Sequence, residues 1–253
     1  MLVLGIESAS DQCGCALANE NGVIAETRLA LPRRHAEALA PQMRFVCEQA
    51  GVALGDVDVV AVDCGPGLYT GLRAGLATAK ATAAALETGV VPIGSLEALA
   101  FGAAAVAQPG ETVLSVLDAR RGEVFWAWYR ITTLTGSTAR LVRLSAPQVG
   151  PPADLLPALT SPGENPSGRT VVVGDGALRY ADQLAAGNAV IAGPELRFPS
   201  PAAVALLGRE RALAGGTVPP EQVDALDLSS PDAQPQREPV PGHLRPAGAE
   251  ARG

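Results

Sequence analysis

The sequence is short of the residues from which metal centres and broad nucleic-acid surfaces are built. It has two histidines, His35 and His243, far apart in the chain, and a pair set so wide in sequence gives no zinc-type spacing. The four cysteines, Cys13, Cys15, Cys47 and Cys64, fall inside apolar patterns rather than at loop spacings, which reads as reduced core thiols and not as a disulfide framework. Cys13-Gly-Cys15 has no second ligand pair to complete a metal site, so no metal is expected. Nor is there an excess of positive charge: 19 Lys and Arg against 26 Asp and Glu leave a net charge of -7. Broad capture of a phosphate backbone needs cations to displace condensed counterions, so any RNA contact is local or made by a partner. Long apolar runs are missing as well. The stretch from Ala98 to Ala107 is closed by Glu97 and Pro109, well short of the roughly 18–20 residues a membrane span requires. The first residues carry no basic region, and Glu7 comes too early for a signal peptide, so a cytoplasmic protein without membrane contact is expected.

What is present is a folding composition. Hydrophobic residues make up 47% and charged residues 18% of 253 positions, room for one large or two modest domains. Three short apolar segments, 2–8, 13–19 and 23–29, are separated by Ser-Asp and Asn-Gly turn signals and predict antiparallel strands. After Pro32 the spacing turns helical, with His35, Leu39, Met43, Val46 and Cys47 on one side until Gly51 stops it. Pro41 lies inside that pattern and is expected to split it, opening the main helical segment itself. A buried strand over 57–62 enters a glycine loop, then a helix to about Glu87. A strand over 90–93, a helix over 96–107 and strands over 112–117 and 123–131 follow. A Pro-, Gly- and Ser-rich stretch covers 150–168, a strand begins at Val171, and helices are expected over 177–186 and 201–214. The Pro-, Gln- and Gly-dense segment 229–253 is expected to be a disordered tail.

The segment Gly65-Pro-Gly-Leu-Tyr-Thr-Gly-Leu-Arg-Ala-Gly75 sits between predicted strand and helix. Glu7, Ser8, Gly65, Gly67 and Thr70 are candidates for an anion or nucleotide loop, because glycines permit close backbone approach and a helix start offers free N–H groups. No Lys follows in the Walker position, and Gly71 falls one residue late for the dinucleotide pattern. A tight packing turn and an anion site both stay open, as does a plain turn role for Glu7. In the helix that follows, Gly71, Gly75, Ala79 and Ala83 form a smooth stripe. From spacing alone, packing against the helix begun at His35 is favoured over a subunit interface. Asp118, Arg120 and Glu123 flank a predicted hairpin turn, where opposite charges fix the turn or recognise a partner. Phe125, Trp126 and Trp128 read as packing residues, with too few interleaved cations for a base-stacking platform.

Ile6-Glu-Ser-Ala-Ser, Arg34-His-Ala-Glu-Ala-Leu, the loop Gly65–Gly75 and Leu117-Asp-Ala-Arg-Arg-Gly-Glu-Val-Phe-Trp126 together resemble the bacterial TsaB (YeaZ) family, in detail over the first half of the chain. The resemblance implies an α/β fold of two ribonuclease-H-like subdomains, as in the actin, sugar-kinase and heat-shock ATPase superfamily. These are placed at 1–110 and 111–200, with the helix at 201–214 returning to the first. It also implies a subunit of the complex that makes threonylcarbamoyladenosine beside the tRNA anticodon. In that complex the paralogue TsaD transfers the group, TsaB binds TsaD and through it TsaE, and tRNA is met only through the assembly. His35, Leu39, Met43, Gly71, Leu72, Gly75 and Ala79 become the expected partner interface, with a homodimer through the same helices as the alternative without a partner. The paralogue's His-x-x-x-His metal motif aligns with Ser95 and Leu99, neither of which is a good ligand, so no catalytic residue is expected. No second adenosine-binding loop is present, so the isolated chain is expected to need no cofactor, with ATP or ADP held at a partner interface if at all. A free-standing ATP-binding phosphotransferase is the alternative, and a metallopeptidase a weaker one. Ala225-Leu-Asp-Leu-Ser-Ser-Pro-Asp232 lacks the Tyr and Arg of the family's Pro-Leu-Tyr-Leu-Arg, so any contact made by that motif is not carried over.

Overall fold

In the computed structural model, residues 1–31, 34–135, 138–160, 168–226 and 228 are described; the expected tail at 229–253 lies outside them. The three N-terminal segments pair as predicted: Val3–Glu7 (β1), Cys13–Asn19 (β2) and Gly22–Leu29 (β3) form an antiparallel meander with β1 innermost. The helix His35–Ala50 (α1) buries His35, Leu39, Met43, Val46 and Cys47, the five residues its spacing selects. Gly51 ends it at φ 66°, and the next amide, Val52 N–H, reaches back to Cys47 O, the bond of a left-handed cap. Pro41 does not divide this helix, contrary to expectation. Pro41 and Glu37 are both on the exposed side, so the carbonyl that the ring deprives of an N–H lies toward water.

Val59–Asp63 (β4), Tyr69–Ala85 (α2), Val90–Ile93 (β5) and Ser95–Gly102 (α3) complete the first half. The sheet runs β3-β2-β1-β4-β5, with β4 parallel to both β1 and β5. The second half repeats that order. Its elements are Thr112–Arg120 (β6), Glu123–Thr135 (β7), Thr138–Arg143 (β8), Gln148–Gly150 (β9), Leu156–Thr160 (α4), Thr170–Val173 (β10), Asp175–Arg179 (α5), Ala181–Leu184 (α6) and Ala189–Ile191 (β11). Here β6, β7 and β8 are antiparallel, β10 and β11 run parallel to β6, and the order is β11-β10-β6-β7-β8 with β9 added on β7. Two sheets with this strand order and direction are the ribonuclease-H-like pair that was expected.

Details differ where elements are short. The helix foreseen at 177–186 is two brief ones, α5 and α6, meeting at Tyr180, and α3 gives way at Gly102 to a turn of 3₁₀ helix. Strands β8, β9 and β11 and helix α4 were not foreseen. Helix Pro201–Leu213 (α7) returns to the first sheet, packing Ala203, Val204 and Leu207 on Val3, Val59, Ala61 and Val91. Ser200 caps it, accepting from Ala203 N at 3.0 Å. On the other face of that sheet, α1 and α2 enclose Leu4, Ile6, Cys15, Leu17, Val60 and Val62. Helix α3 serves both halves: Ala98 and Phe101 join the core under α7, while Leu96, Leu99 and Ala100 pack on Val113, Leu117 and Phe125. No described helix is long and apolar enough to cross a membrane.

Candidate functional site

Parallel pairing of β1 with β4 brings Glu7 and Asp63 to the ends of neighbouring strands, beyond the last pair, Ile6 and Val62. Both side chains are fully shut off from water. Glu7 Oε1 accepts from Ala9 N at 2.9 Å and Ser10 Oγ at 3.3 Å. Asp63 Oδ1 accepts from Gly65 N at 2.8 Å and Ser95 Oγ at 2.5 Å, while its Oδ2 has no hydrogen-bonding partner among the described residues. Burial raises the Asp63 carboxyl to about 7 against those two bonds, and burial followed by the Asp63 charge holds Glu7 well above the ordinary carboxylate range. Two acids so placed keep at least one proton between them near neutrality. A neutral carboxyl also tolerates an unpartnered oxygen far better than an anion does.

The turn between β1 and β2 is held from several sides. The His35 ring Nε2 lies 2.8 Å from Ser10 O and 3.2 Å from Gln12 O, which makes it a donor to the turn's carbonyls. Gln12 Nε2 donates to Pro199 O at 3.0 Å, Ser8 Oγ to Gly71 O at 2.9 Å, and Leu68 N to Ala9 O at 2.7 Å. Against this turn lie the glycines of the loop and helix. A Cβ at Gly67 would strike Ala9 O, one at Gly71 would strike Ser8 O, and one at Gly75 would strike Ser8 Oγ. The glycines therefore serve a close approach inside the chain, which is the packing-turn reading of the loop. Gly65, at φ 105°, is also covered: Leu226 N donates to Cys64 O at 2.7 Å, and the returning chain lies over it. Thr70 is exposed at the start of α2.

The residues expected at a partner interface, His35, Leu39, Met43, Gly71, Leu72, Gly75 and Ala79, lie on the inward sides of α1 and α2. All seven are buried within the chain, so their side chains and close contacts are spent on α1, α2 and the turn after β1. The outward sides of these helices carry other residues: Glu37, Arg44 and Phe45 on α1, and Tyr69, Arg73, Ala77, Ala81 and Ala84 on α2. Arg73 stacks over the Tyr69 ring at 4.3 Å.

The hairpin-turn residues are brought together, and mostly with one another. Asp118 is buried and accepts from Arg120 N, Arg120 Nη1 and Arg179 Nη1, each at 3.0 Å. Arg120 Nη2 reaches across to Asp11 Oδ2 of the first turn at 2.7 Å. Glu123 stands exposed, opposite Arg120 in register. Phe125 and Trp126 are buried and Trp128 is half-buried, as packing residues should be. Ser95 and Leu99, the positions aligned with the paralogue's metal histidines, are closed off: Ser95 donates to Asp63, and Leu99 is core. No group of three or more His, Cys, Asp or Glu able to hold a metal occurs among the described residues. Nor is a thiol nucleophile poised: burial pushes Cys13 to about 11 and Cys64 to about 12, and Cys64 Sγ donates to Ile93 O. Sequence reasoning passed over Asp11, Asp63, Asp175 and Arg179. Asp63 had a signal, a carboxylate closing an apolar strand run beside the strand that ends in Glu7.

The family model described as TsaD, tRNA N6-adenosine threonylcarbamoyltransferase, matches residues 20–157, more than half of the chain. A relative named tRNA threonylcarbamoyladenosine biosynthesis protein TsaB, from Escherichia coli (strain K12), is 35% identical over 131 residues, 51% of this chain and 55% of that protein. The chain belongs to the TsaD family, in its TsaB (YeaZ) branch. An uncharacterized protein of Mycobacterium leprae (strain TN) is 32% identical over 259 residues, covering 98% of this TsaB-family chain and 62% of its own length. The chain thus spans under two thirds of either curated relative. The solved structure of YeaZ from Pseudomonas aeruginosa superposes with a TM-score of 0.75 at 27% identity, covering 90% of this chain and 99% of that one.

Proposed function

We propose that this chain is a non-catalytic accessory subunit of the complex that transfers a threonylcarbamoyl group to the adenosine next to the tRNA anticodon, and that it acts by binding the TsaD-type catalytic subunit. The observation that carries this reading is the fate of Ser95 and Leu99. Where the catalytic paralogue places metal-binding histidines, this chain has a hydroxyl spent on a buried carboxyl and a leucine in the core. Acyl transfer assisted by a metal there would lack its electrophile. The glycine loop supports the same reading, because Gly67, Gly71 and Gly75 are set against Ser8 and Ala9 of the same chain. ATP or ADP, if bound at all, belongs where a partner completes a site. Contact with TsaE and tRNA is likewise made through TsaD.

Docking falls to the outward sides of α1 and α2 rather than to the buried glycine stripe. Phe45 and Tyr69 expose large apolar surface there, at 48% and 59%, and Ala77, Ala81 and Ala84 leave α2 smooth enough for another helix to lie close. The test is size-exclusion chromatography of the full chain with its cognate TsaD, alongside ATP calorimetry on the chain alone. A stable complex is expected, lost in Ala81→Arg, whose exposed position keeps its effect on folding within about 0.5 kcal/mol. No complex, combined with micromolar ATP binding by the isolated chain, overturns the proposal in favour of a phosphotransferase. Without TsaD, self-pairing through the same helices is the expected competitor, and Ala81→Arg should return such a dimer to monomer.

A further inference from the structure

The two sheets are joined in two physically different ways. Through α3 the joint is apolar, with Ala98 and Phe101 on one side and Leu96, Leu99 and Ala100 on the other. At the cleft it is ionic. Arg120 Nη2 meets Asp11 Oδ2 at 2.7 Å between partners 109 positions apart, and both side chains are partly exposed, at 44% and 31%. Behind this pair lies the small cleft, with Ser10 and Gly67 on the first side and Leu117, Asp118 and Asp175 on the second; its volume of about 10 Å³ holds no more than a water molecule.

The backbone under Arg120 is unusual. Arg120, Arg121 and Gly122 are successive left-handed residues, at φ 69°, 53° and 88°. Side chains other than Asn, Asp and Gly rarely adopt that region, and an Asn or Gly at 120 would hold the same turn with less strain. Neither would carry a cation. The strained arginine aims its guanidinium so that Nη1 binds Asp118 and Nη2 crosses to Asp11, with Arg179 sharing the Asp118 charge.

We propose that Asp11 and Arg120 form a charge-operated latch that holds the cleft between the two sheets closed, with the apolar contacts of α3 as its hinge. The proposal is independent of any partner. An exposed ion pair weakens with salt and yields to a competing anion, whereas apolar packing does neither. The latch is therefore the part of the joint that solution charge controls.

The test is a distance measurement by paired spin labels on the full chain, attached at Glu20→Cys in the exposed turn between β2 and β3 of the first sheet and at the exposed Gln148→Cys on β9 of the second. The native cysteines are buried, which directs labelling to the new sites. Asp11→Asn, which keeps shape and removes charge, should raise the open, longer-distance population by up to about fivefold, the worth of one exposed pair. About 0.5 M salt should do the same to the unaltered pair. Arg120→Gln added to Asp11→Asn should add nothing further if the two residues act as a unit. An unchanged distance distribution in Asp11→Asn and at high salt overturns the latch, as does full additivity of the two substitutions. Should Asp11→Asn melt, the salt series on the native pair decides alone.

Discussion

Gly71→Ala is the sharpest perturbation of the joint between the β1–β2 turn and α2. The new methyl would overlap Ser8 O, a main-chain atom, and that turn is fixed by Ser8 Oγ to Gly71 O, Leu68 N to Ala9 O and the His35 ring to Ser10 O. Forcing a methyl into such a contact costs about 1–3 kcal/mol or more when the neighbour cannot turn aside. Replacing glycine by alanine within a helix returns about 0.8–1 kcal/mol. The net expectation is a loss of up to about 2 kcal/mol. Gly75→Ala is different in kind, because its methyl meets the Ser8 hydroxyl, a group that can rotate away. Losing that hydroxyl's hydrogen bond costs about 1 kcal/mol, which the helix gain nearly cancels. Gly55→Ala is the control, since nothing lies within 4 Å of its Cβ and its φ is not positive. It should be neutral or stabilising by about 0.4–1 kcal/mol. Urea unfolding at constant m-value ranks the three as Gly71, then Gly75, then Gly55. A Gly71→Ala protein as stable as the parent would refute the packing argument and return the glycine stripe to the surface.

Two further outcomes follow from the buried acids and from α1. Asp63 carries a folded value of about 7 against an ordinary 3.8, so the native state binds the extra proton between those limits and stability falls as pH rises from about 4 to about 7. Asp63→Asn should flatten that slope in denaturant titrations taken at several pH values, and a slope unchanged in the variant would remove Asp63 as its source. Pro41→Ala restores an amide to the exposed side of α1 and should raise the melting temperature, by about 1–3 kcal/mol in stability terms; an unchanged or lower melting temperature would show that the proline is accommodated without cost.

What was legible in the sequence followed from strong periodicity. The face of α1 could be read because His35, Leu39, Met43, Val46 and Cys47 repeat at helical spacing and Gly51 supplies the one conformation the cap requires. The short elements were less legible. Three-residue strands such as β9 and β11 have too few positions to show alternation, and they exist because β7 and β10 offer them an edge. Pro41 misled because propensity is local, while its cost is set by which way the freed carbonyl faces. The glycine stripe of α2 is ambiguous in sequence for a related reason. A smooth stripe says that some backbone comes close, and spacing cannot say whose; here it is that of Ser8 and Ala9 in the same chain.

The same close approach explains why the loop needs its glycines without any ligand. Gly67, Gly71 and Gly75 all face the Ser8–Ala9 segment, whose position depends on His35, Glu7 and Gln12. Replacing Gly67 or Gly71 strikes main-chain atoms and so perturbs folding directly. Packing alone is enough to require these glycines, beside a Ser95 that hydrogen-bonds Asp63 and a Leu99 that lies in the core. The residues beside the loop, Asp63, Ser95 and Leu99, are likewise committed within the chain, to a buried hydrogen bond and to the core.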